Sequence, residues 1–312
     1  MKSLIFGGLG QDGSFLAERL ADSHEVVVIH RRENFVGKDS RLRYEKSDIT
    51  RASIESLIKR EKPDVVYNFA GVSNVFDPWD NISDVVSLNL GLPALILSSI
   101  KTHSAKSKFI QASSSLVFGS SHVSFCNEES ERSPLTPYGV TKNAADQLVK
   151  ESREVHGLNV YSVILFNHES ERRASTFFTR KVIDAAIKIS KGERSTLSLG
   201  SLDSHRDMGF AWDYMDAVDK IARTDEPEDF VIGTGKLVGM RDFVKEVFEC
   251  FDLDYRNFVI EKQDDRRNNN VNPTIADASK MRRKLGWKAQ EFSTQLLVDR
   301  IIRQGEVNAR AV

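Results

Sequence analysis

Cysteine is nearly absent: only Cys126 and Cys250 occur among 312 residues. That excludes a disulfide framework and points to a reducing compartment, the cytoplasm. Charge of one sign is missing too, because 44 Lys+Arg face 45 Asp+Glu for a formal net charge of −1. A sequence-independent nucleic-acid binder needs a strong basic excess, so that class is excluded. No uninterrupted apolar run approaches the roughly 20 residues of a membrane span. Met1 to Phe6 meets glycine too soon for a signal-peptide core. No internal repeat is visible. What remains is a chain with 40% hydrophobic and 29% charged residues, long enough for one large domain or two unequal ones.

Apolar runs alternate with amphipathic stretches. Leu4–Phe6, Val26–Ile29, Val65–Phe69, Phe109–Gln111 and Val160–Phe166 predict buried strands. Helical spacing follows at Phe15/Leu16/Leu20, Ile54/Leu57/Ile58, Val85–Ile100 and Tyr138–His156. Pro93 predicts a kink or break within the third of these. Strands alternating with helices imply a parallel sheet covered on both faces. After Asn167 the rhythm changes. Helices are expected near Phe177–Ile189, Tyr214–Ala222, Phe243–Phe251 and Ser279–Leu285, with short strands at Thr196–Leu199 and Phe230–Ile232. The expected fold class is therefore α/β: a Rossmann-type doubly wound parallel sheet (1–166) and a smaller mixed C-terminal substrate lobe (167–312), from which some chain returns to the first domain. The polar run Arg266–Asn270 reads as a loop.

Gly8-x-Gly10-x-x-Gly13 follows the first strand and opens the first helix. This is the context a dinucleotide fingerprint requires. The glycines permit a tight turn, close approach of backbone to pyrophosphate, and packing of helix on strand. The helix N-terminus offers free N–H groups to phosphates. At the end of the second strand, where NAD-binding folds place an acid, stand His30-Arg31-Arg32. Two arginines suit the 2′-phosphate of NADP, with NAD as the alternative because Glu33 follows directly. Arg31 and Arg32 as ordinary surface charges is the competing reading. Asp48, in Ser47-Asp48-Ile49-Thr50, is placed either at the adenine or, with Thr50, at a helix N-cap.

Tyr138 and Lys142 stand at i and i+4 on one helical face. A nearby ammonium lowers a tyrosine's pKa and makes it a usable base. Ser114, at a strand end, completes a set able to bind one substrate oxygen. An exposed aromatic beside a salt-bridging lysine is the bland alternative, and it leaves the surrounding order of motifs unexplained.

These three parts resemble the extended short-chain dehydrogenase/reductases. Gly10–Glu18, Gln111–Ser115, Phe166–Arg173, Thr179–Lys181, Leu199–Asp207 and Lys284–Lys288 are similar to the GDP-mannose 4,6-dehydratase branch of that family, across nearly the whole chain. The resemblance implies an enzyme with Ser114, Tyr138 and Lys142 as catalytic residues. It implies cofactor contacts from Gly7, Gly10, Gln11, Asp12, Gly13, Arg31, Arg32, Asp48, Ile49, Ala70, Tyr138, Lys142, His168 and Arg173. It also implies a nucleotide-sugar substrate, a GDP-hexose, held by Ser115, Asn167, Lys181, Arg206 and Arg267, with no metal. The cations make sense for a diphosphate, although each has a plain surface-charge alternative. A shortened segment after Arg32 favours a homodimer over the tetramer.

One position departs from the family. Its dehydratases carry Thr-Ser-Glu where this chain has Ser114-Ser115-Leu116. In the family mechanism C4 is oxidised, the glutamate removes the acidified C5 proton, water leaves from C6, and hydride returns there. Leucine accepts no proton, and Glu128, Glu129 and Asp77 are expected to be loop charges. Three readings stay open. The chain is a dehydratase with a displaced acid, or a C4 reductase, oxidase or epimerase without elimination, or a non-catalytic NADP-binding partner or sensor.

Overall fold

The computed structural model describes residues 1–37, 39–73, 79–119, 125–262 and 273–310. In its first half the chain runs β1 (Lys2–Phe6), α1 (Gln11–Leu20), β2 (Glu25–His30), β3 (Leu42–Lys46), α2 (Arg51–Glu61), β4 (Val65–Asn68), α3 (Ile82–Val86), α4 (Leu92–His103), β5 (Lys108–Ser114), β6 (Phe125–Cys126), α5 (Pro137–His156) and β7 (Val160–Leu165). The second half holds β8 (Asn167–Glu169), α6 (Phe178–Ser190), β9 (Leu197–Leu199), β10 (His205–Phe210), α7 (Ala211–Ala222), β11 (Phe230–Ile232) and β12 (Leu237–Gly239). It closes with α8 (Met240–Glu249), β13 (Val259–Glu261), β14 (Ile275–Ala276), α9 (Ser279–Leu285) and α10 (Thr294–Arg310).

Among the described residues, seven parallel strands form one sheet in the order β11-β7-β5-β4-β1-β2-β3. Both faces are covered, which is why its inner strands read as unbroken apolar runs. Ile5 and Val28 face a cluster with Phe15 and Leu16 of α1 and Tyr214 and Met215 of α7. Leu4, Phe6 and Val27 face Ile54 and Leu57 of α2, Ile96 of α4 and Val149 of α5. A separate cluster joins α6, α8 and α10 through Val182, Phe243, Val247 and Leu297. The strand order reverses beside β1 and β4, and such sheets bind ligands outside the strand C-termini at that crevice.

The structure corrects two expectations. Phe230–Ile232 belongs to the main sheet, as its edge strand beside β7. The break expected at Pro93 is a π-helical turn, Ser87–Gly91, placed before it, with the proline in the first turn of α4. Pro93 lacks an N–H, and the wider turn spares its ring a clash with the preceding carbonyl. The helical run Trp79–His103 is long and apolar enough by length and composition to cross a membrane. Here Leu92, Ile96 and Ile100 bury it against the sheet.

At the far edge Glu61, 5% exposed, gathers Lys2 at 3.1 Å, Arg60 at 2.9 Å and Arg43. Burial opposes its charge, but the three cations outweigh it and hold the carboxyl down to about 2, against an ordinary 4.5. A depressed acid contributes stability above its unfolded pKa and loses it as pH falls through the folded one. With partners that are partly solvated, about 2 kcal/mol is expected to disappear between roughly pH 4.5 and 2. Melting temperatures taken down that range should fall more steeply for the wild type than for Glu61→Gln.

Candidate active site

The glycine turn is closed by contacts that only glycine permits. Gly10 N–H donates to Gly7 O at 2.9 Å. Gly7 has φ +75°, and a Cβ on it would lie 2.5 Å from the Ala70 nitrogen; a Cβ on Gly13 would lie 2.5 Å from Gly7 O. Gly10 differs, because a Cβ there meets only Gly7 O, at 3.2 Å. Gly10 is also the N-cap of α1 and brings no capping side chain. First-turn N–H groups are thus left behind an open glycine face, an arrangement that fits a pyrophosphate.

The next two residues meet the segment after β7. Gln11 Nε2 donates to His168 O at 3.2 Å, and Ser170 Oγ donates to Gln11 Oε1 at 2.8 Å. His168 Nδ1 lies 2.7 Å from Phe166 O, an obligate acceptor, and Nε2 lies 2.9 Å from Asp12. Burial disfavours charge on the ring, yet Asp12 raises its pKa overall; burial likewise opposes charge on Asp12, and His168 and Arg173 lower its pKa overall. Each group therefore favours the charged form of the other, with His168 Nδ1 donating to Phe166 O. Arg173 lies 3.8 Å over the Phe177 ring, and its charge acts on Asp12, His168 and Tyr138. Thus Gln11, Asp12, His168 and Arg173, far apart in the chain, gather at the N-terminus of α1.

Ser114, Tyr138 and Lys142 meet on the adjoining strand end. Thr136 caps α5 by accepting from Gly139 N, and Pro137 fits its first turn. A Cβ on Gly139 would sit 2.6 Å from Leu116 O, so glycine lets the helix lie against the turn after β5. Ser114 Oγ accepts from Leu116 N at 3.3 Å. Lys142, 5% exposed, donates to Ala112 O at 2.9 Å and stands 5.8 Å from the Tyr138 ring centre. The expected lowering of the Tyr138 pKa is not realised here. Burial pushes the phenol up to about 12, with the Ser114 hydroxyl pulling the other way. Burial also lowers Lys142 to about 8, against the opposing pull of Asp146 and Asp12.

The cleft floor rests on polar side chains to which the sequence analysis gave no role. Asn68 Nδ2 donates to Gln111 Oε1 at 2.9 Å, and Asn68 Oδ1 accepts from Ala70 N at 3.2 Å. Asn89, buried in the π-helical turn, clasps Val72 by accepting from its N at 2.8 Å and donating to its O at 3.1 Å. These bonds hold Ala70 beside Gly7.

Other sequence-expected residues lie further out. Arg31 and Arg32 are exposed at the end of β2, and among the described residues no acid pairs with them. Glu33 is engaged instead with Lys46. Thr50, not Asp48, caps α2 by accepting from Ser53 N at 3.2 Å, which leaves Asp48 exposed and Ile49 half-buried. Asn167 donates to Asp207 O at 3.3 Å, and β8 pairs with β10, which carries Arg206. Lys181 reaches Ser198 O at 3.2 Å, and Ser115 is buried. Arg267 and Asp77 lie outside the described residues. Glu128 is not a solvated loop charge, because it accepts from Val231 N of the edge strand at 2.7 Å. Glu129 is exposed.

Residues 4–300 match the sequence profile of the family described as GDP-mannose 4,6 dehydratase. The chain belongs to that family. It is 34% identical over 324 residues to GDP-mannose 4,6 dehydratase 2 of Arabidopsis thaliana, covering 95% of this chain and 86% of that one. To the GDP-mannose 4,6-dehydratase of Vibrio cholerae it is 31% identical over 348 residues, covering 96% and 93%. The fold is shared with MoeE5 solved with UDP-glucuronic acid and NAD, with TM-score 0.85, 22% identity and coverage of 99% and 100%. It is shared also with RMD from Pseudomonas aeruginosa solved with NADPH, with TM-score 0.82, 19% identity and coverage of 99% and 100%. The family is one of enzymes, so the serine, tyrosine and lysine at the strand end are candidate chemical groups.

Proposed function

We propose that the protein transfers a hydride at C4 of a nucleotide-bound hexose, a GDP-hexose by family, with NADP as its dinucleotide and without completing 4,6-dehydration. One observation carries this reading: Ser114, Tyr138 and Lys142 are assembled, whereas the neighbouring Leu116 offers no proton acceptor. The candidate substitute Glu128 is fastened to the sheet edge. The names of the curated relatives favour the guanosine sugar, and solved neighbours carry NAD or NADPH.

The residues present fit the cofactor, since the open Gly10 face and bare α1 terminus suit its pyrophosphate. When bound, the dinucleotide supplies the hydride donor or acceptor. Ser114 orients the sugar oxygen at C4. Tyr138, held protonated by burial at neutral pH, donates its proton to a C4 ketone as hydride reaches the carbon, leaving a carbinol and a phenolate. The Lys142 ammonium stabilises that phenolate. Oxidation reverses each transfer. Exposed Trp79, Val86 and Val140 favour a homodimer through the helical run around α3 and through α5, and a chain with only two cysteines, Cys126 and Cys250, favours a cytoplasmic setting.

The test is to incubate the protein with GDP-mannose and NADP+, and separately with a GDP-4-keto-hexose and NADPH. Consumption of NADPH in the second mixture, with no 4-keto-6-deoxy product in the first, is the expected result. Formation of that product from GDP-mannose makes the protein a dehydratase after all. Tight NADPH binding with no turnover in either mixture makes it a binding partner or sensor.

Cofactor choice is separately testable. Each charge-assisted hydrogen bond is worth about 1.5–3 kcal/mol, so Arg31→Ala and Arg32→Ala should each weaken NADPH binding about 10–100-fold. NADH binding, followed by the same fluorescence titration, should change little.

A further inference from the structure

A deeply buried ionic network lies one helical turn behind Lys142. Asp146 is 1% exposed. Its Oδ2 accepts from Ser113 Oγ at 2.5 Å and Arg132 Nη1 at 2.8 Å, and its Oδ1 accepts from Ser162 Oγ. Arg132 Nη2 goes on to Asp229 at 3.2 Å, and Asp229 meets Arg153 Nη1 at 3.0 Å. Acids and bases thus alternate and their charges cancel, as buried ions must. The three donors to Asp146 come from β5, β7 and the loop before α5.

We propose that Asp146 is a positioning residue, which fixes α5 against the strand end bearing Ser114 and keeps Lys142 charged within the apolar cleft. The proposal rests on the reading that Lys142 supports Tyr138. Ser113, which Asp146 grips, lies between Ala112, whose carbonyl takes the Lys142 ammonium, and Ser114. One carboxylate therefore anchors the segment that both reactive groups touch. Residues four apart on a helix face each other, so Asp146 also sets a negative charge beside the ammonium.

The charges facing Lys142 are few: Asp146 from its own helix and Asp12 from α1, the latter paired with His168. Those facing Asp146 are Arg132 and, beyond it, Asp229. Burial raises Asp146 to about 6, with Arg132, Ser113 and Ser162 pulling it back. It is thus ionised at the higher pH where Lys142 titrates, near 8, and its negative charge holds the lysine's proton on.

The test is Arg132→Met/Asp146→Asn, which removes both charges together and leaves the Asp229–Arg153 pair intact. The Lys142 titration is followed in the full chain by 13Cε-lysine NMR. An opposing charge at close range typically moves a pKa by about 1–3 units, so the Lys142 midpoint should fall by about one unit. The alkaline limb of the hydride-transfer profile should move with it. Arg132 restored with Asp146→Glu should recover part of the shift. Ser162→Ala keeps every charge but destabilises the Asp146 carboxylate; it should move Lys142 the same way by less, and it serves should the double variant fail to fold. A lower melting temperature with an unmoved Lys142 midpoint in the variants that fold would overturn the proposal and leave Asp146 a packing residue. Because the titration needs no substrate, it stays informative even if no nucleotide sugar turns over.

Discussion

Tyr138→Phe is expected to abolish nearly all hydride transfer while leaving fold and NADPH affinity close to those of the wild type. General acid–base catalysis is typically worth about 10²–10⁴-fold, and Tyr138 is the acid the cleft presents. Its burial holds the proton on oxygen, with a pKa near 12, and Lys142 is fixed alongside at 5.8 Å from the ring centre. Phenylalanine keeps the ring and loses only the hydroxyl, so the loss should appear in kcat rather than in cofactor binding. Steady-state rates with a GDP-4-keto-hexose, measured beside a NADPH titration, separate the two. A variant retaining more than about a tenth of wild-type kcat would remove Tyr138 from the chemistry, given that expected range.

How much of this was written legibly in the chain depends on whether the information was local. Leu4–Phe6, the glycine turn and the helix after it stand together, and each reports the same supersecondary unit; β1 and α1 flank the turn as expected. Tyr138 and Lys142 share a helix, so spacing alone placed them on one face. By contrast β3, Leu42–Lys46, escaped notice because it is a partly exposed edge strand whose Arg43 and Glu45 engage neighbouring charges rather than the core. The last strand pattern, Phe230–Ile232, was visible, but its place in the main sheet was not. It pairs with a strand some 67 residues earlier, as Phe230↔Val163 shows, and no local signal encodes such a contact. α10 was likewise missed. The supports of the site were hidden for a related reason. Asn68, Asn89, Gln111 and Asp146 carry no local signal of their role, and their meaning lies in partners such as Val72 and Ser162 that only the fold supplies. The Tyr138 pKa departs from expectation for a related reason, since i, i+4 spacing put the ammonium nearby but did not reveal how deeply the phenol would be buried.

Leu116→Glu is expected to give the protein a reaction it lacks: formation of a 4-keto-6-deoxy sugar from GDP-mannose, rising from background by about 10²-fold or more, the lower end of what a positioned acid–base group supplies. The backbone at this position is already held, by Ser114 Oγ on its N–H and by Gly139 packed against its carbonyl. Its neighbours Val117 and Phe118 are fully buried in an apolar cluster that Leu116 does not join, and Leu116 itself stays partly exposed. A glutamate there need not bury a charge in the core, so the expected cost in stability is under about 1 kcal/mol, as for substitutions away from packed positions. Product analysis by mass spectrometry, with loss of the C6 oxygen as the signature, decides the matter. If the variant binds NADP+, oxidises the sugar at C4 and still eliminates nothing, then Leu116 does not face C5, and the absence of dehydration must be traced to how the hexose is held rather than to one missing carboxylate.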